Sequence, residues 1–230
     1  MILCVSEARA LVEACTTANS HTQDDAAIIA DHLIDCELRG LSYRGLPRAQ
    51  SVVERIRKRA GPGPANRRTF RDTGSARLNG GDQAGYLVGR RATDMAITKA
   101  RASGIAVVGA SNTWYTGMFS YYLEMITTAG FAGMIAGSSG QKVAPHGGTE
   151  GRFGTNPIAF GFPSGTTPVI WDIGTANMMV GEAVLAKRLG QPLAPGRAFG
   201  PDGSPTDDPD AALKGVFTVW GGHKGSGGWR

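Results

Sequence analysis

Glycine is the residue that most constrains how this chain can fold. The 230-residue sequence holds 34 glycines, twice the usual share of about 7%, and most of them lie in its second half without a fixed period. Glycine gives the backbone access to left-handed conformations and to close approaches. The distribution therefore predicts many tight turns between short helices and strands, and it excludes a collagen-like repeat.

The remaining composition is that of an ordinary globular protein. The chain is 41% apolar and 19% charged, and its length suffices for one large or two small cores. A formal net charge of +5 suits an anionic ligand and a nucleic acid equally well. The basic residues form no stripe interleaved with aromatic residues, so no nucleic-acid partner is expected.

The cysteines and the apolar runs indicate the compartment. Cys4, Cys15 and Cys36 show neither metal-ligand spacing nor an even disulfide framework, which favours buried thiols in a reducing compartment. The apolar N-terminal stretch is too short for a signal peptide, and no apolar run approaches the roughly 20 residues of a membrane span. We therefore expect a cytoplasmic protein without a membrane partner.

Helical periodicity dominates the first sixty residues. The first helix is expected to be capped by Ser6 and to share one face among Leu11, Val12 and Cys15. The pair Asn19-Ser20 is expected to end it.

Two more helices are predicted in the same segment. Thr22 with Asp25 indicates the start of the second helix, which presents Ile29, Leu33 and Cys36 on one face and ends at Gly40. The third places Val52, Val53 and Ile56 on one side and ends at residues 61–64, Gly-Pro-Gly-Pro.

From Thr69 onward strand and helix patterns alternate. A hairpin pattern at 69–81 is followed by a helical pattern at 86–104 and by the apolar run 105–111, which predicts a short buried strand. Further strands are expected at 131–139, 156–163 and 167–174, and further helices at 118–130 and 176–190. Residues 191–210 hold five of the twelve prolines and predict a long irregular loop.

Four stretches carry a family resemblance where the common nucleotide motifs are missing. No G-x-G-x-x-G follows a strand, and no G-x-x-x-x-G-K-[ST] occurs. The stretches are DCELRGLSYRGLPR (35–48), GGTEGRFGTNPIAFGFP (147–163), VIWDIGTANMMVGE (169–182) and DGSPTDDPDAALKGVFTVWGGHKGSG (202–227). Taken in order they resemble the malate/L-lactate dehydrogenase family, which includes ureidoglycolate, sulfolactate and piperideine-2-carboxylate enzymes. Gly-Thr-Asn-Pro at 154–157 and Gly-Gly-His-Lys-Gly at 221–225 are the most specific parts of this resemblance.

The resemblance implies a fold, a domain organisation and an assembly. It implies an α/β protein with the family's non-Rossmann NAD(P)-binding fold, in which a mixed sheet is joined by an N-terminal helical segment. Residues 1–66 would form that segment and contribute to the substrate site, and residues 67–230 would form a glycine-rich cofactor-binding domain, incomplete at its C-terminus. Members of the family are homodimers, so a homodimer is expected.

The resemblance also implies an activity. The expected function is hydride transfer between NAD or NADP and a small 2-hydroxy, 2-oxo or imino acid. Family members continue beyond the Gly-Gly-x-Lys-Gly loop, so the chain is expected to be cut short there, with a complete natural short form as the alternative. The rival functional hypothesis is a truncated remnant without catalytic activity.

Two arginines are the expected clamp for the anionic carboxylate of the substrate. The family motif Ser-His-Gly-x-x-Arg corresponds here to Tyr43, Arg44, Gly45 and Arg48; Arg48 agrees with it, whereas Tyr43 and Arg44 do not. A planar guanidinium suits bidentate recognition of a carboxylate, which favours Arg48 with Arg44 beside it. On the residues alone, a solvated basic helix terminus is the alternative.

Tyr115 stands where the family carries its catalytic histidine. The family motif Asn-Ser-x-His-x-Gly corresponds to residues 112–117. A tyrosine can donate a proton to a developing alkoxide, but near neutrality it is a poor base unless cations such as Arg44 or Lys142 lie nearby. The change marks either a subgroup with a different proton donor or a loss of activity. Packing beside Trp114 is the alternative role.

The resemblance assigns the cofactor to two glycine-rich stretches and one turn. Backbone N–H groups and a carboxylate suit ribose hydroxyls, and lysine with glycine suits phosphate. A strand-end cap is the alternative role for the aspartate, and turn formation is the alternative for the asparagine, which precedes a proline. The histidines show no metal spacing, so no metal is expected. The implied cofactor residues are Asp172, Ile173, Gly174, Thr175, Lys224, Gly225, Thr155 and Asn156.

Overall fold

The computed structural model describes residues 3–58, 67–71 and 73–225, without the side chains of residues 67–71 and 225. The chain divides into two compact units. The first comprises Met1–Gly133 and Gly161–Ile170, and the second comprises Met134–Phe160 and Trp171–Arg230. The expected division at residue 66 separates a substrate-site segment from a cofactor-binding domain by their function, whereas these two units are defined by their compactness. The expected division therefore stays a prediction. The predicted end of the third helix at 61–64 lies outside the described residues.

Three helices open the first unit. Helix α1 spans Val5–Thr17, α2 spans Gln23–Leu38 and α3 spans Pro47–Lys58, with a 3₁₀ turn at Ser42–Arg44 between the last two. Thr22 caps α2, because its side chain accepts the Asp25 N–H at 3.2 Å. The predicted face of α2 is confirmed, since Ile29, Leu33 and Cys36 are all fully buried.

The prediction for α1 is wrong in two respects. Its N-cap is Cys4 rather than Ser6, and the Glu7 carboxylate accepts the Cys4 N–H at 2.8 Å. Of the three predicted face residues only Val12 is buried; Leu11 is 54% exposed. Burial follows Ala8, Val12 and Thr16 instead. Thr16 can be buried because its hydroxyl donates to the Val12 carbonyl at 2.8 Å, which satisfies the polar group within the helix.

A mixed three-stranded sheet follows the helices. Strand β1, Arg67–Arg71, pairs antiparallel with β2, Ser75–Ala84, which confirms the predicted hairpin. Helix α4, Gly85–Ser103, then crosses to β3, Val107–Trp114, which runs parallel to β2. The expectation of a buried strand at 105–111 is wrong, because most of β3 is exposed and Val107 is 67% exposed. The strand lies at the edge of its sheet, and an apolar run does not distinguish an edge strand from a central one.

The core of the first unit lies between the three helices and the start of α4. Each of these helices contributes apolar residues to it, and Trp114 and Tyr115 pack against it from the end of β3. The end of β3 is therefore fixed against a rigid core. The largest members of this core include Val12, Ile29, Leu33, Val52, Tyr86 and Leu87.

The remaining predicted elements form with short strands. Helix α5 spans Phe119–Thr128, and β4 (Gly133–Ala136), β5 (Ile158–Phe162) and β6 (Val169–Ile173) form a sheet in the order β4–β5–β6. Helix α6 spans Val180–Leu189 and ends at Gly190 in a left-handed conformation. These elements confirm the predicted alternation of strands and helices.

Residues 191–210 do not form one irregular loop. They contain β7 (Ala198–Phe199) and β8 (Pro205–Thr206) and enter α7 (Pro209–Lys214), and β7 also pairs antiparallel with β9 (Val216–Phe217). Asp208 caps α7 with its carboxylate, and Pro209 follows in the first turn, where a missing N–H costs nothing. Strands of two residues are too short for a periodic pattern, so the prolines alone suggested a loop.

The described part of the chain ends in α8, Gly222–Gly225. No helix among the described residues is both long enough and apolar enough to cross a membrane.

Candidate active site

A four-residue loop carries Tyr115 between the end of β3 and the start of α5. Tyr115 has a backbone φ of 55° and Gly117 one of 81°. A left-handed conformation costs a non-glycine residue roughly 1–2 kcal/mol, so Tyr115 keeps it only because the surroundings hold the loop. The loop is therefore a specified turn and not a passive connection.

The structure brings Tyr115 and Arg48 together. The guanidinium carbon of Arg48, near the start of α3, lies 4.5 Å from the centroid of the Tyr115 ring, a distance typical of a cation–π contact. Trp114 packs edge-on against the same ring at 5.1 Å, and its indole N–H donates to the Asp82 carbonyl at 2.8 Å. Both Tyr115 and Arg48 are half-buried. A guanidinium cation and a phenol therefore lie in contact, partly shielded from solvent.

Arg44 lies on the 3₁₀ turn that precedes α3. Its guanidinium carbon lies 5.3 Å from the centroid of the Tyr43 ring. After burial, its positive charge is the second largest cause that lowers the pKa of His32. Arg44 therefore contributes positive potential to this part of the first unit, while its ring contact is with Tyr43.

Glu37, which no sequence pattern singles out, orders the segment that carries both arginines. One carboxylate oxygen accepts the Ser42 hydroxyl at 2.7 Å, and the other accepts the Leu46 N–H at 2.9 Å. Gly45 leaves room for this carboxylate, because a Cβ there would overlap its oxygen. No motif marks such a residue, since the contacts reach up to nine positions along the chain.

His32 is the second functional residue that no sequence pattern singles out. It lies on α2, is 1% exposed, and its Nε2 accepts the Met118 N–H at 2.9 Å. Burial lowers the pKa of His32 to about 3. The partners stand 86 positions apart in the sequence, so local patterns cannot reveal this contact.

In the second unit, the predicted cofactor residues Thr155 and Thr175 are joined directly. The Thr175 N–H donates to the Thr155 carbonyl at 2.8 Å, and the Thr175 hydroxyl donates to the same oxygen at 3.1 Å. A Cβ at Gly174 would overlap the Met179 methyl group, so a larger residue there requires that flexible side chain to shift. Asp172 and Ile173, the last two residues of β6, lead into this turn and are half-buried.

The loop that carries Lys224 approaches the same turn. The Trp220 N–H donates to the Thr175 carbonyl at 2.9 Å. Gly221 and Gly222 are both left-handed, with φ of 67° and 57°, and Lys224 follows with an exposed side chain. Successive left-handed glycines with a lysine form a donor set that suits a phosphate, so these residues fit the phosphates of a nicotinamide dinucleotide. Gly225 is the last residue of α8.

Asn156 and Lys142 also have defined surroundings in the second unit. Asn156 has a φ of 32°, and its buried side-chain oxygen has no hydrogen-bond partner among the described residues. The ammonium of Lys142 donates to the carbonyls of Leu213 and Gly215 at 2.8 and 3.3 Å. The charge of Lys142, considered above as a partner for Tyr115, is thus engaged by carbonyls of its own unit.

The part of the chain that the structure describes holds no group of three or more histidine, cysteine, aspartate or glutamate residues that could bind a metal ion. The two sets of residues offer arginine, tyrosine, lysine and backbone amide groups. In the first unit these groups suit a carboxylate and a proton transfer, and in the second they suit phosphates.

A model of the malate/L-lactate dehydrogenase family matches residues 4–228. The chain belongs to this family. The crystal structure of a dehydrogenase from Sinorhizobium meliloti superposes with a TM-score of 0.90 at 30% identity, covering 99% of this chain and 67% of that one. The predicted α/β fold, with its mixed sheet and N-terminal helical segment, is confirmed.

Three named relatives share about a third of the sequence. The L-sulfolactate dehydrogenase of Methanothermobacter thermautotrophicus is 33% identical over 94% of this chain and 63% of its own length. The (2R)-3-sulfolactate dehydrogenase (NADP(+)) of Chromohalobacter salexigens is 30% identical over 98% and 68%, respectively. The ureidoglycolate dehydrogenase (NAD(+)) of Escherichia coli is 33% identical over 82% and 55%. The chain thus spans between 55% and 68% of the length of these three relatives.

Proposed function

We propose that this protein is an NAD(P)-dependent oxidoreductase acting on a small 2-hydroxy, 2-oxo or imino acid. The observation that carries the proposal is the packing of Arg48 against Tyr115 at the end of β3, in a chain that belongs to a family of dehydrogenases. The relatives described above act, by their names, on sulfolactate or ureidoglycolate. Each of these substrates is a small carboxylate with an oxidisable carbon next to the acid.

In this proposal Arg48 binds the substrate carboxylate and Tyr115 exchanges the proton. A guanidinium 4.5 Å from the ring holds its charge close to the phenol, and its fork of N–H donors can pair with a carboxylate. The phenol then donates to the oxygen or nitrogen on which negative charge develops. Arg44 adds positive potential that favours an anionic substrate.

In the second unit, the phosphates of the cofactor would be held by Lys224 and Gly225. The rest of the cofactor would be lined by Asp172, Ile173, Gly174, Thr175, Thr155 and Asn156. A bound nicotinamide dinucleotide supplies or accepts the hydride. Both NAD and NADP remain candidates, because one relative is named for each. The support from this chain is the direct connection between these loops, through the Thr155, Thr175 and Trp220 backbones.

The experiment that tests the proposal measures turnover and cofactor binding together. The purified 230-residue protein is mixed with NADH or NADPH and a panel of 2-oxo acids and one cyclic imino acid, and nicotinamide absorbance is followed. Cofactor binding is followed separately by NADH fluorescence. Turnover with any member of the panel supports the proposal. An absence of both turnover and binding would instead support the rival hypothesis of a catalytically inactive remnant.

We also propose that the protein is a cytoplasmic homodimer. Cys4, Cys15 and Cys36 are free thiols; Cys36 is buried as expected, whereas Cys4 and Cys15 are exposed and that expectation is wrong for them. Burial raises the pKa of the Cys36 thiol to about 12, and free thiols suit a reducing compartment. The family resemblance supports the dimer. Sedimentation equilibrium tests the oligomeric state, and cell fractionation tests the compartment.

A further inference from the structure

His32 is a polar side chain enclosed by aromatic rings. It lies on α2 and is 1% exposed. Its ring centroid lies 4.9, 4.5 and 5.4 Å from the centroids of Tyr86, Tyr121 and Tyr122. Burial of a polar group costs free energy unless its hydrogen bonds with water are replaced. The contacts of His32 must therefore account for its burial.

Among the described residues, the His32 side chain forms its hydrogen bond with the loop that carries Tyr115. Nε2 accepts the Met118 N–H at 2.9 Å, and the pKa near 3 keeps the ring neutral above moderately acidic pH. The proton of the neutral ring is therefore assigned to Nδ1 by this hydrogen bond. Nδ1 has no partner among the described residues. A phenylalanine would avoid that unsatisfied donor, so what histidine adds at this position is one acceptor for Met118.

The loop between Tyr115 and α5 is held at every residue after Tyr115. The Tyr122 hydroxyl donates to the Thr116 carbonyl at 2.7 Å. Gly117 lies so close to His32 that a Cβ there would overlap Nε2 and would lie 2.8 Å from a ring carbon of Tyr86. Met118 is fixed by His32. These contacts hold the loop in the conformation in which Tyr115 and Gly117 are left-handed.

We propose that His32 is a positioning residue for Tyr115: by accepting the Met118 N–H it fixes the left-handed turn at 115–117 and so holds the phenol against Arg48. The inference rests on the proposed function, because it gives Tyr115 a role in proton exchange. A left-handed tyrosine relaxes toward commoner conformations when its loop is released. Loss of the acceptor is therefore expected to move the phenol away from the position in which it reacts.

The experiment compares four variants of the full chain. His32→Phe and His32→Leu remove the acceptor, and the smaller leucine covers the case in which phenylalanine prevents folding. His32→Gln places an amide oxygen near the former Nε2 and restores an acceptor. Val12→Ala is the control: it removes buried apolar volume from α1, which packs on α2 and α3. All are compared at a temperature at which each is folded.

Two readouts are expected to separate positioning from general stability. Amide exchange at residues 116–118 should accelerate at least 10-fold in His32→Phe or His32→Leu relative to the rest of the first unit, and His32→Gln should restore protection. In the turnover assay kcat should fall at least 10-fold in the acceptor-free variants, with the NADH Kd unchanged. His32→Gln should return kcat to within about 3-fold of wild type, whereas Val12→Ala should accelerate exchange uniformly and leave kcat near wild type.

Different results overturn different statements. If wild type shows no turnover, the proposed function fails, and with it the role of His32 in catalysis, whereas the exchange data still decide whether His32 fixes the loop. If wild type turns over and exchange at 116–118 does not respond selectively, the inference about His32 fails alone. It also fails if exchange responds while kcat does not, because His32 would then only support the fold.

Discussion

The two sets of candidate site residues are held in place by different kinds of contact. In the first unit, buried or half-buried side chains fix the backbone: His32 holds Met118, Tyr122 holds Thr116 and Glu37 holds Leu46. In the second unit, backbone groups make the contacts between the loops, through the Thr175 N–H and the Trp220 N–H, and a side chain adds to them, because the Ser139 hydroxyl accepts the Thr155 N–H at 3.1 Å. Side-chain substitution removes contacts of the first kind and leaves those of the second, so the two regions should respond differently to mutation.

The largest expected effect comes from adding one methyl group to the first region. Gly117→Ala places a Cβ against His32 and Tyr86 at a φ of 81°, whereas Gly104→Ala places one in open space at a φ of 77°. Both variants lose the roughly 1 kcal/mol of a left-handed alanine. Gly117→Ala should lose about 2 kcal/mol more through overpacking. Urea unfolding of the two variants measures the difference, and equal losses would show that the loop yields easily.

Tyr115→Phe removes the hydroxyl and keeps the ring, so it separates the contribution of the hydroxyl from that of ring packing. The phenylalanine ring retains the contacts with Arg48 and Trp114, so stability should change little. Turnover should fall about 100-fold if the phenol transfers the proton, with NADH affinity near wild type. Steady-state kinetics and fluorescence titration measure the two quantities. Unchanged kcat would return Tyr115 to a packing role and remove the functional reason for the rigid loop.

Lys224→Ala tests the second region through a side chain that faces solvent. If its ammonium contacts a phosphate of the cofactor, its loss should weaken NADH binding by roughly 1.5 to 3 kcal/mol, or about 10- to 150-fold in Kd. Lys214→Ala is the matched control, since Lys214 is also an exposed lysine of the second unit. Fluorescence titration compares them. Equal affinities in both variants would contradict the assignment of the terminal glycine-rich loop to the cofactor.

What the sequence could predict follows from the range of each interaction. The cap at Thr22 and the buried face of α2 are local, with partners three to seven residues apart, and both are confirmed. The exposure of β3 depends on its place at the edge of a sheet, which no local pattern encodes. Strands β7 and β9 are two residues long and pair across a gap of 16 residues or more. No local pattern indicates such strands, so the prolines around them predict an irregular loop instead.

The candidate site shows the same limit. Arg48 and Tyr115 were predicted through motif positions, and the structure adds their direct contact. The spacing of His32 matches no metal motif, although this residue holds the Tyr115 loop from 86 positions away. Glu37 lies within the stretch 35–48 that resembles the family, but no pattern distinguishes it there. Residues that contact the chemistry can resemble a family motif, whereas residues that support them through packing become visible only in three dimensions.

The smallest expected effect concerns a side chain in the second region that duplicates a backbone contact. Thr175→Val removes the hydroxyl that donates to the Thr155 carbonyl at 3.1 Å and leaves the Thr175 N–H on the same oxygen at 2.8 Å. Because the acceptor stays satisfied, unfolding should become easier by no more than about 1 kcal/mol. NADH affinity should change less than about 3-fold, since the backbone keeps its path.

The matched variant in the first region is Glu37→Met, which also replaces a polar group by an apolar one of similar volume. There the Ser42 hydroxyl and the Leu46 N–H both lose their acceptor. An unsatisfied Leu46 N–H should cost roughly 1 to 3 kcal/mol. Urea unfolding compares the pair. A loss in Thr175→Val as large as that in Glu37→Met would mean that side chains also hold the second region, and the contrast between the two would not stand.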